Sequence, residues 1–278
     1  MKPSSPGAAK TVMKRRVHIV GAPRSGTTLM AELMIAGFRF DGHAPHEMSI
    51  FMRPDRPVGL FCSKNPQDIL HVRPLLAIDG NLWVIYVLRD PRDVIVSRHG
   101  KAPDKYWSNL FVWRWYHQAA GRILQHPRCI LVRYEDLVRE PDAVQAELMR
   151  RMPFLDRQCA FSEYHRIANP SAGSLKAMRG VRPVSADNIG AWRRHRPRLA
   201  AQLAMHGDIS AELIALGYEQ DDGWLSELKG IRPDNQLSHL QEKLSVKKRI
   251  RMQVRRTVGF LRYLSGLRER VPVCMRSD

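Results

Sequence analysis

The sequence predicts an α/β fold in which a central parallel sheet carries helices on both faces. Short apolar runs at 17–20, 82–88 and 129–133 have the length and composition of buried strands. A segment of helical composition follows each run, and strands that alternate with helices pair in parallel and are covered on both sides. The chain has 278 residues, 44% of them hydrophobic, and can therefore bury a sizeable core.

The predicted elements follow one another in a regular order. The strand at 17–20 leads through a glycine-rich loop into a helix at 27–36, which Gly37 can end. The strand at 82–88 runs into a helix start, where Pro91 suits the first turn and Asp90 or Asp93 can cap it. The remaining predictions are a long aromatic helix over 106–125, a strand at 129–133, a helix over 143–152 and one or two helices within 199–216.

Composition divides the chain into a loose tail at 1–14, a main domain at 15–225 and a basic, largely helical extension at 226–278. The formal net charge of +18 favours anionic partners. Segment 238–270 holds ten Lys or Arg and two acidic residues, and apolar residues recur in it at helical spacing. They are Val246, Ile250, Val254, Val258 and Leu261. This pattern has two interpretations: a solvated helix packed on the domain, or weak surface docking to an anionic membrane or an acidic acceptor.

Cysteine spacing and hydropathy give further predictions. The four cysteines, Cys62, Cys129, Cys159 and Cys274, lie far apart, which indicates neither a zinc site nor a disulfide scaffold. No apolar run approaches the length of a membrane span, and the N-terminus has no hydrophobic signal core. A cytoplasmic protein is therefore expected, and its oligomeric state is left open.

The segment at 21–28, GAPRSGTT, has the frame of a phosphate-binding loop, G-x-x-x-x-G-K-[ST], between a predicted strand and a predicted helix. Thr27 stands where loops for nucleoside triphosphates carry a lysine that spans the β- and γ-phosphates. Arg24 supplies a basic group three residues earlier. The sequence therefore predicts a P-loop NTPase-like three-layer fold and a phosphate-bearing donor other than a nucleoside triphosphate.

A second motif, RDPRDVIVS at 89–97, begins where the clearest strand ends. Together the two motifs resemble the donor-binding signatures of the sulfotransferases, which use 3′-phosphoadenosine 5′-phosphosulfate (PAPS). The resemblance spans residues 17–225 and is nearest to the tyrosylprotein sulfotransferase-like branch and its bacterial relatives. It implies transfer of a sulfuryl group, by in-line displacement, to the hydroxyl of a glycan, lipid-linked sugar, peptide tyrosine or small metabolite.

The resemblance also implies roles for individual residues. Arg24 and Lys64 stabilise the sulfuryl group in the transition state, and Arg89 and Ser97 hold the 3′-phosphate of the donor. A guanidinium at position 24 is permanently charged and acts as an electrostatic stabiliser rather than a general acid. The residues expected to bind the donor are Arg24, Ser25, Gly26, Thr27, Thr28, Arg89, Ser97 and Tyr134. No metal is expected to be required, because the donor carries its own activated group.

The general base is sought near the loop helix. Cytosolic sulfotransferases use a histidine two residues after the Lys64-like lysine, but this chain has Pro66 there. The tyrosylprotein-type branch uses a glutamate shortly after the loop helix, and Glu47 fits that place. A carboxylate beside cationic groups stays ionised and can accept a proton at neutral pH. Glu47 is therefore the predicted base, with His46 or His43 as the alternative.

The loop and the positive charge each suggest another class of function. A P-loop kinase-like enzyme is disfavoured because Thr27 replaces the lysine that such enzymes require. A basic nucleic-acid-binding protein is suggested by charge alone, and the chain has no recognisable reading motif, so no specific nucleic acid is expected. A catalytically inactive donor-binding relative is a third alternative.

Overall fold

The structure, a computed structural model, describes residues 14–54, 58–99, 102–234 and 236–268. The predicted tail at 1–14, apart from Lys14, lies outside the described residues, as do Cys274, Glu269 and Arg270 of the sequence predictions. Where the chain is described, its strands are β1 (Arg15–Gly21), β2 (Gly42–Glu47), β3 (Leu60–Lys64), β4 (Leu82–Leu88), β5 (Arg98–His99), β6 (Ala102–Tyr106) and β7 (Cys129–Arg133).

Ten α-helices surround these strands in the described part of the chain. They are α1 (Thr27–Gly37), α2 (Val72–Ile78), α3 (Pro91–Val96), α4 (Leu110–Gly121), α5 (Tyr134–Arg139), α6 (Pro141–Arg151), α7 (Ala172–Met178), α8 (Arg196–His206), α9 (Ser210–Ala215) and α10 (Val246–Arg268). Short 3₁₀ turns occur at Pro66–Leu70, Phe161–Arg166, Ala191–His195 and Gly223–Leu228. No helix of the described residues combines the length and apolar character needed to cross a bilayer.

Five strands form one parallel sheet in the order β2-β3-β1-β4-β7. Strand β4 shows how both faces of this sheet are covered. Val84 and Tyr86 pack into one buried cluster with α2 and α4, and Ile85 and Val87 pack into another with α1 and α5. Because successive side chains of a strand point to opposite faces, this division places helices on both sides. The predicted α/β fold with a central parallel sheet is confirmed.

Several observed elements match the sequence predictions, although the buried strand β3 was not predicted. Strands β4 and β7 have the predicted bounds. Helix α4 begins four residues later than predicted because the Asn109 side chain accepts a hydrogen bond from the Val112 amide and caps it there. Strand β2 was not predicted: it is an edge strand, its sequence GHAPHE contains proline, and only Ala44 in it is buried.

The sheet brings four chain segments to one edge. Strands β1, β3 and β4 are parallel neighbours, so Gly21, Lys64 and Leu88 end on the same side. Strand β2 pairs in parallel with β3, and Glu47 is in register with Lys64. Parallel α/β sheets bind their ligands beyond the carboxyl ends of the strands. The phosphate-binding loop, the Arg89 motif, Lys64 and Glu47 therefore lie at this edge.

The C-terminal residues contact the rest of the chain at several points. Asn109 donates a hydrogen bond to the Leu240 carbonyl at 3.0 Å, and Arg198 donates one to the Gln236 carbonyl at 2.9 Å. On α10, the Tyr263 hydroxyl donates to the Asp79 carboxylate at 2.5 Å. The predicted domain boundary at residue 225 stays a prediction, but the segments on its two sides are joined by these bonds.

Stability should fall as the pH drops below about 6.5, because the folded protein holds a buried histidine neutral. Burial lowers the pKa of His18, although a hydrogen bond with Asp68 opposes the change. Because the folded state then binds fewer protons than the unfolded state, protonation of the unfolded chain lowers the free energy of unfolding as the pH falls. Glu32 and Asp93 act in the opposite sense, since burial raises the pKa of each.

Urea unfolding between pH 5.5 and 7.5, on the wild type and on His18→Asn, isolates the contribution of the histidine. The free energy of unfolding of the variant should change less with pH across this range. An identical pH dependence in the two proteins would contradict the assignment to His18.

Candidate donor-binding and transfer site

The loop between β1 and α1 has an unusual backbone. Arg24 has φ 77° and Gly26 has φ 99°, both in the left-handed region. For arginine this conformation is disfavoured and persists only where surrounding contacts enforce it. Gly26 stands at the N-cap of α1 without a side-chain cap, so the first amides of the helix are directed to the space above the loop.

Three of the predicted donor residues contact one another. The Arg24 Nε donates a hydrogen bond to the Ser97 hydroxyl at 3.0 Å, and Arg89 donates one to the Arg24 carbonyl at 3.2 Å. Arg89 also donates to the Asn188 carbonyl at 2.8 Å, and its guanidinium lies 4.2 Å from the centre of the Tyr134 ring. Arg24 and Arg89 are 65 residues apart in the sequence, but these contacts join the two motifs into one cationic cluster.

The pKa of Arg24 reflects its burial and the like charges around it. Burial, and next the neighbouring guanidinium groups of Arg89 and Arg179, lower the pKa of Arg24 to about 10. Arg24 remains charged at neutral pH, so the folded protein holds like charges together out of water. An anion between them would remove this repulsion.

The other residues of the RDPRD segment have structural contacts. Asp90 caps α3 by accepting from the Arg92 amide, and it also pairs with the Arg92 side chain at 2.8 Å. Asp93 accepts from the amides of Gly190 at 2.8 Å and Trp192 at 3.0 Å. By these two bonds Asp93 fixes the segment at 188–192 over a cavity. The Arg89 side chain is directed into this cavity.

A cavity of about 530 Å³ opens between the loop, α3 and residues 177–195. The side chains of Arg24, Arg89 and Ser97 line it, together with Tyr134 and the loop residues from Gly26 to Thr28. Among the described residues, its arginines are Arg24, Arg89, Arg98, Arg179, Arg182 and Arg194, against the two acids Asp93 and Asp187. The cavity therefore suits a ligand with several negative charges.

Two polar atoms on the loop side have no partner within the described protein. They are the Ser25 hydroxyl oxygen and the Arg89 Nε, both buried. Buried polar groups in native proteins are almost always hydrogen-bonded, and Arg89 lines the cavity, so a ligand there can supply the bond that its Nε lacks. Of the residues predicted to bind the donor, Ser25 does not line the cavity, whereas the other seven do.

Lys64 and Glu47 form a second group beside the loop. The buried Lys64 Nζ donates to the Thr28 hydroxyl at 2.9 Å and lies 3.2 Å from Glu47 Oε1. Burial lowers the pKa of Lys64, and the Glu47 carboxylate opposes the change. The Glu47 side chain is 47% exposed and is therefore accessible to a second substrate. Thr28 also lines the cavity, so it joins the two groups.

A family model for the sulfotransferase domain matches residues 14–196 of this sequence. This stretch is 183 of the 278 residues and contains the loop, Glu47, Lys64 and the Arg89 motif. The chain belongs to the sulfotransferase family. Its reaction is therefore the transfer of a sulfuryl group, and the kinase-like and nucleic-acid-binding alternatives are set aside.

Solved structures of other sulfotransferases are similar to this one. The sulfotransferase domain of the curacin biosynthetic pathway is 17% identical, with a TM-score of 0.49 over 66% of this chain and 91% of that domain. The sulfotransferase domain of the Synechococcus PCC 7002 olefin synthase is 16% identical, with a TM-score of 0.44 over 69% and 91%. Mouse sulfotransferase SULT7A1, complexed with PAP (adenosine 3′,5′-bisphosphate), is 13% identical. Its TM-score is 0.45 over 67% of this chain and 81% of that chain. No curated protein sequence matches the chain.

Sequence reasoning missed the part of this sulfotransferase that covers the cavity. Arg179, Arg182 and Arg194 line it from residues 177–195, and Arg179 itself has a left-handed φ of 60°. The signal available in the sequence was the cluster of arginines around Gly180 and Gly190. Nothing in that pattern distinguishes a cavity lining from a solvated surface, because the segment is remote in sequence from both motifs.

A carboxylate that the sequence did not single out lies on the acceptor side. Glu32 of α1 is buried and accepts a hydrogen bond from the Ser174 hydroxyl. Ser174 Oγ is also 3.3 Å from the Nδ1 of His46. These contacts, from Glu32 through Ser174, orient the ring of His46, the alternative general base.

None of the described residues forms a cluster of three or more His, Cys, Asp or Glu side chains suited to a metal ion. The sequence prediction that no metal is required stays a prediction.

Gly26→Ala should weaken donor binding by about tenfold or more, because the site has no room for a methyl group there. An added Cβ would lie 2.5 Å from Cδ2 of Tyr134, the ring on which Arg89 stacks, and the backbone has φ 99°. Calorimetry with adenosine 3′,5′-bisphosphate (PAP) measures the change. Gly207→Ala is a matched control, since Gly207 has φ 84° and nothing within 4 Å of the added carbon. Equal PAP affinities of the two variants would contradict the steric argument.

Proposed function

We propose that this sulfotransferase uses PAPS as donor and transfers the sulfuryl group to an acceptor hydroxyl by in-line displacement. The observation that carries the proposal is the contact between Arg24, Ser97 and Arg89 at the edge of an arginine-lined cavity. A donor with a 3′-phosphate and a 5′-phosphosulfate on its ribose needs several cationic groups around one cavity. The cluster of Arg24, Arg89 and Ser97 would supply them, with Arg24 on the loop toward the phosphosulfate and Arg89 with Ser97 toward the 3′-phosphate.

The residues present fit such a donor. The uncapped N-terminus of α1 and the hydroxyl of Thr27 would hold the 5′-phosphosulfate, and Arg24 would neutralise its charge. Arg89 has an unpartnered Nε, and Ser97 has a hydroxyl that lines the cavity, so both can contact the 3′-phosphate. Gly26 leaves space between the loop and Tyr134, which would lie under the bound donor.

The transfer step is assigned to Lys64 and Glu47, the group that Thr28 joins to the donor cavity. Glu47 accepts the proton of the acceptor hydroxyl while the oxygen of that hydroxyl bonds to sulfur. The bond from sulfur to the phosphate oxygen breaks, and its electron pair leaves with PAP. Lys64 and Arg24 stabilise the charge that develops on the sulfuryl oxygens and the leaving phosphate. Because these cations neutralise the charge, we propose that the step needs no metal.

Glu47 is preferred to His46 because of its link to the loop. Lys64 bonds both Glu47 and Thr28, so the carboxylate is two hydrogen bonds from a residue of the donor cavity. The His46 ring is instead held toward α7 by Ser174. The acceptor is a hydroxyl of a glycan, lipid-linked sugar, peptide tyrosine or small metabolite.

The location that we propose is the cytoplasm, with weak attachment to an anionic membrane surface through the basic segment at 238–270. The described cysteines Cys62, Cys129 and Cys159 all carry free thiols, which suits a reducing compartment.

Incubation with PAPS labelled in the sulfuryl group, across a panel of hydroxyl acceptors, tests the proposal directly. PAP should bind in calorimetry and raise the melting temperature, because it removes repulsion among the cavity arginines. ATP with Mg²⁺ should bind much more weakly, since Thr27 replaces the triphosphate lysine. Tighter binding of ATP than of PAP would overturn the donor assignment.

A further inference from the structure

The outer face of α10 carries an apolar row that the protein itself does not cover. Val246, Ile250, Val254, Val258 and Leu261 are 72%, 61%, 57%, 42% and 59% exposed. They recur mostly every fourth residue and therefore share one side of the helix. The row is recognisable in the sequence, but only the structure shows that it faces away from the domain.

The opposite side of α10 is held on the domain. Tyr263 is 5% exposed and bonds to the buried Asp79. Gly259 lies against the Phe51 ring and Gly266 against the Arg53 side chain, and neither glycine has room for a Cβ. The packed side of the helix is therefore committed to the domain, and α10 cannot turn its apolar row inward without breaking these contacts.

Cations flank the row on both sides. Lys247, Arg251, Arg255 and Arg262 each follow a member of the row by one position, which places them along one flank. On the other flank, Arg249 and Arg256 line a cleft of about 580 Å³ between α10 and α4, together with the rings of Phe111 and Trp115. The sequence of α10 contains eight Lys or Arg and no Asp or Glu.

These features together select one partner. A second copy of the helix would bring two sets of eight positive charges together. A nucleic acid would satisfy the cations but would leave exposed valine, isoleucine and leucine without a partner. A bilayer with anionic lipids accommodates both, since headgroups meet the cations and the acyl boundary takes the apolar row.

We infer that α10 is an in-plane anchor by which the folded protein docks on the surface of an anionic lipid bilayer. The row from Val246 to Leu261 enters the interface, and the arginines on its two flanks contact lipid phosphates. Docking does not depend on the proposed donor or acceptor, so its test is separate from any activity assay.

Flotation of the full-length protein with vesicles tests the anchor. It should bind vesicles of phosphatidylcholine with phosphatidylglycerol, should not bind phosphatidylcholine alone, and should be released by added salt. Ile250→Ser/Val254→Ser should weaken binding about tenfold, because the apolar row is lost. The matched control is Ile167→Ser/Ile214→Ser, which removes two exposed apolar side chains elsewhere, at 56% and 43% exposure.

Charge is tested by a second pair of variants. Arg251→Gln/Arg255→Gln should weaken binding to the anionic vesicles by about tenfold or more. The control Arg150→Gln/Arg157→Gln removes the same net charge from exposed positions elsewhere on the domain. Equal vesicle binding by a variant and its control overturns the inference. So does a concentration-dependent dimer that Ile250→Ser/Val254→Ser dissociates, and so does DNA binding in the absence of vesicle binding.

Discussion

Replacement of Glu47 by glutamine should lower kcat by about 100- to 10,000-fold, the range that a positioned general base contributes. The change keeps the size of the side chain but removes the group that accepts the acceptor proton. PAP affinity should change little, because Glu47 does not line the donor cavity. Stopped assays with labelled donor measure kcat, and calorimetry measures PAP binding.

Two further variants separate proton acceptance from the ion pair with Lys64. Glu47→Asp keeps a carboxylate and should restore part of the activity that Glu47→Gln loses. His46→Asn should retain most of kcat. Loss of activity in His46→Asn combined with an active Glu47→Gln would transfer the role of base to the His46–Ser174–Glu32 chain.

Replacement of Arg89 by alanine should weaken PAP binding by about 100-fold, which corresponds to about 2.7 kcal/mol. Arg89 lies within the cationic cluster and lines the cavity, and in the proposed complex it contacts the 3′-phosphate. Arg89→Lys keeps the charge but loses the planar fork, and should recover only part of the affinity. Calorimetry with PAP, at fixed ionic strength, compares the three proteins.

Arg92 is the natural contrast to Arg89, because it is a neighbouring arginine that is also buried. It pairs with Asp90 at 2.8 Å and with Glu219 at 2.5 Å, and stacks on Trp192 and Trp224. Arg92→Ala should therefore lower the free energy of unfolding by about 3 kcal/mol through loss of a buried pair. If Arg89→Ala destabilises the protein as much and leaves PAP affinity unchanged, then Arg89 too is structural.

The structure matches most closely the sequence predictions that depend only on a local pattern of residues. Strand β4 reads as an unbroken apolar run because both of its faces are buried, and its sequence therefore marks its bounds. The loop at 21–28 is likewise local, since its spacing of glycines and hydroxyls is set by one turn before one helix. Strand β2 escaped prediction because an exposed edge strand needs no apolar run.

The chemistry of the site depended on contacts that no local pattern contains. The cavity is closed by residues 177–195, more than eighty residues beyond Arg89, and the bonds of Asp93 to Gly190 and Trp192 hold that segment in place. The pairing of Lys64 with Glu47 arises because β2 and β3 are parallel neighbours. The role of Glu32 depends on the packing of α7 over α1.

The sequence by itself determined the parallel α/β fold, the phosphate-binding loop and the pair of motifs that place the chain among the sulfotransferases. Those features are encoded by residues close in sequence, where backbone propensity and spacing act directly. The tertiary structure decided which arginines line the cavity, which carboxylate meets Lys64, and which side of α10 faces solvent. These are contacts between distant segments, and they are set by packing over the whole chain, which no single stretch of sequence records.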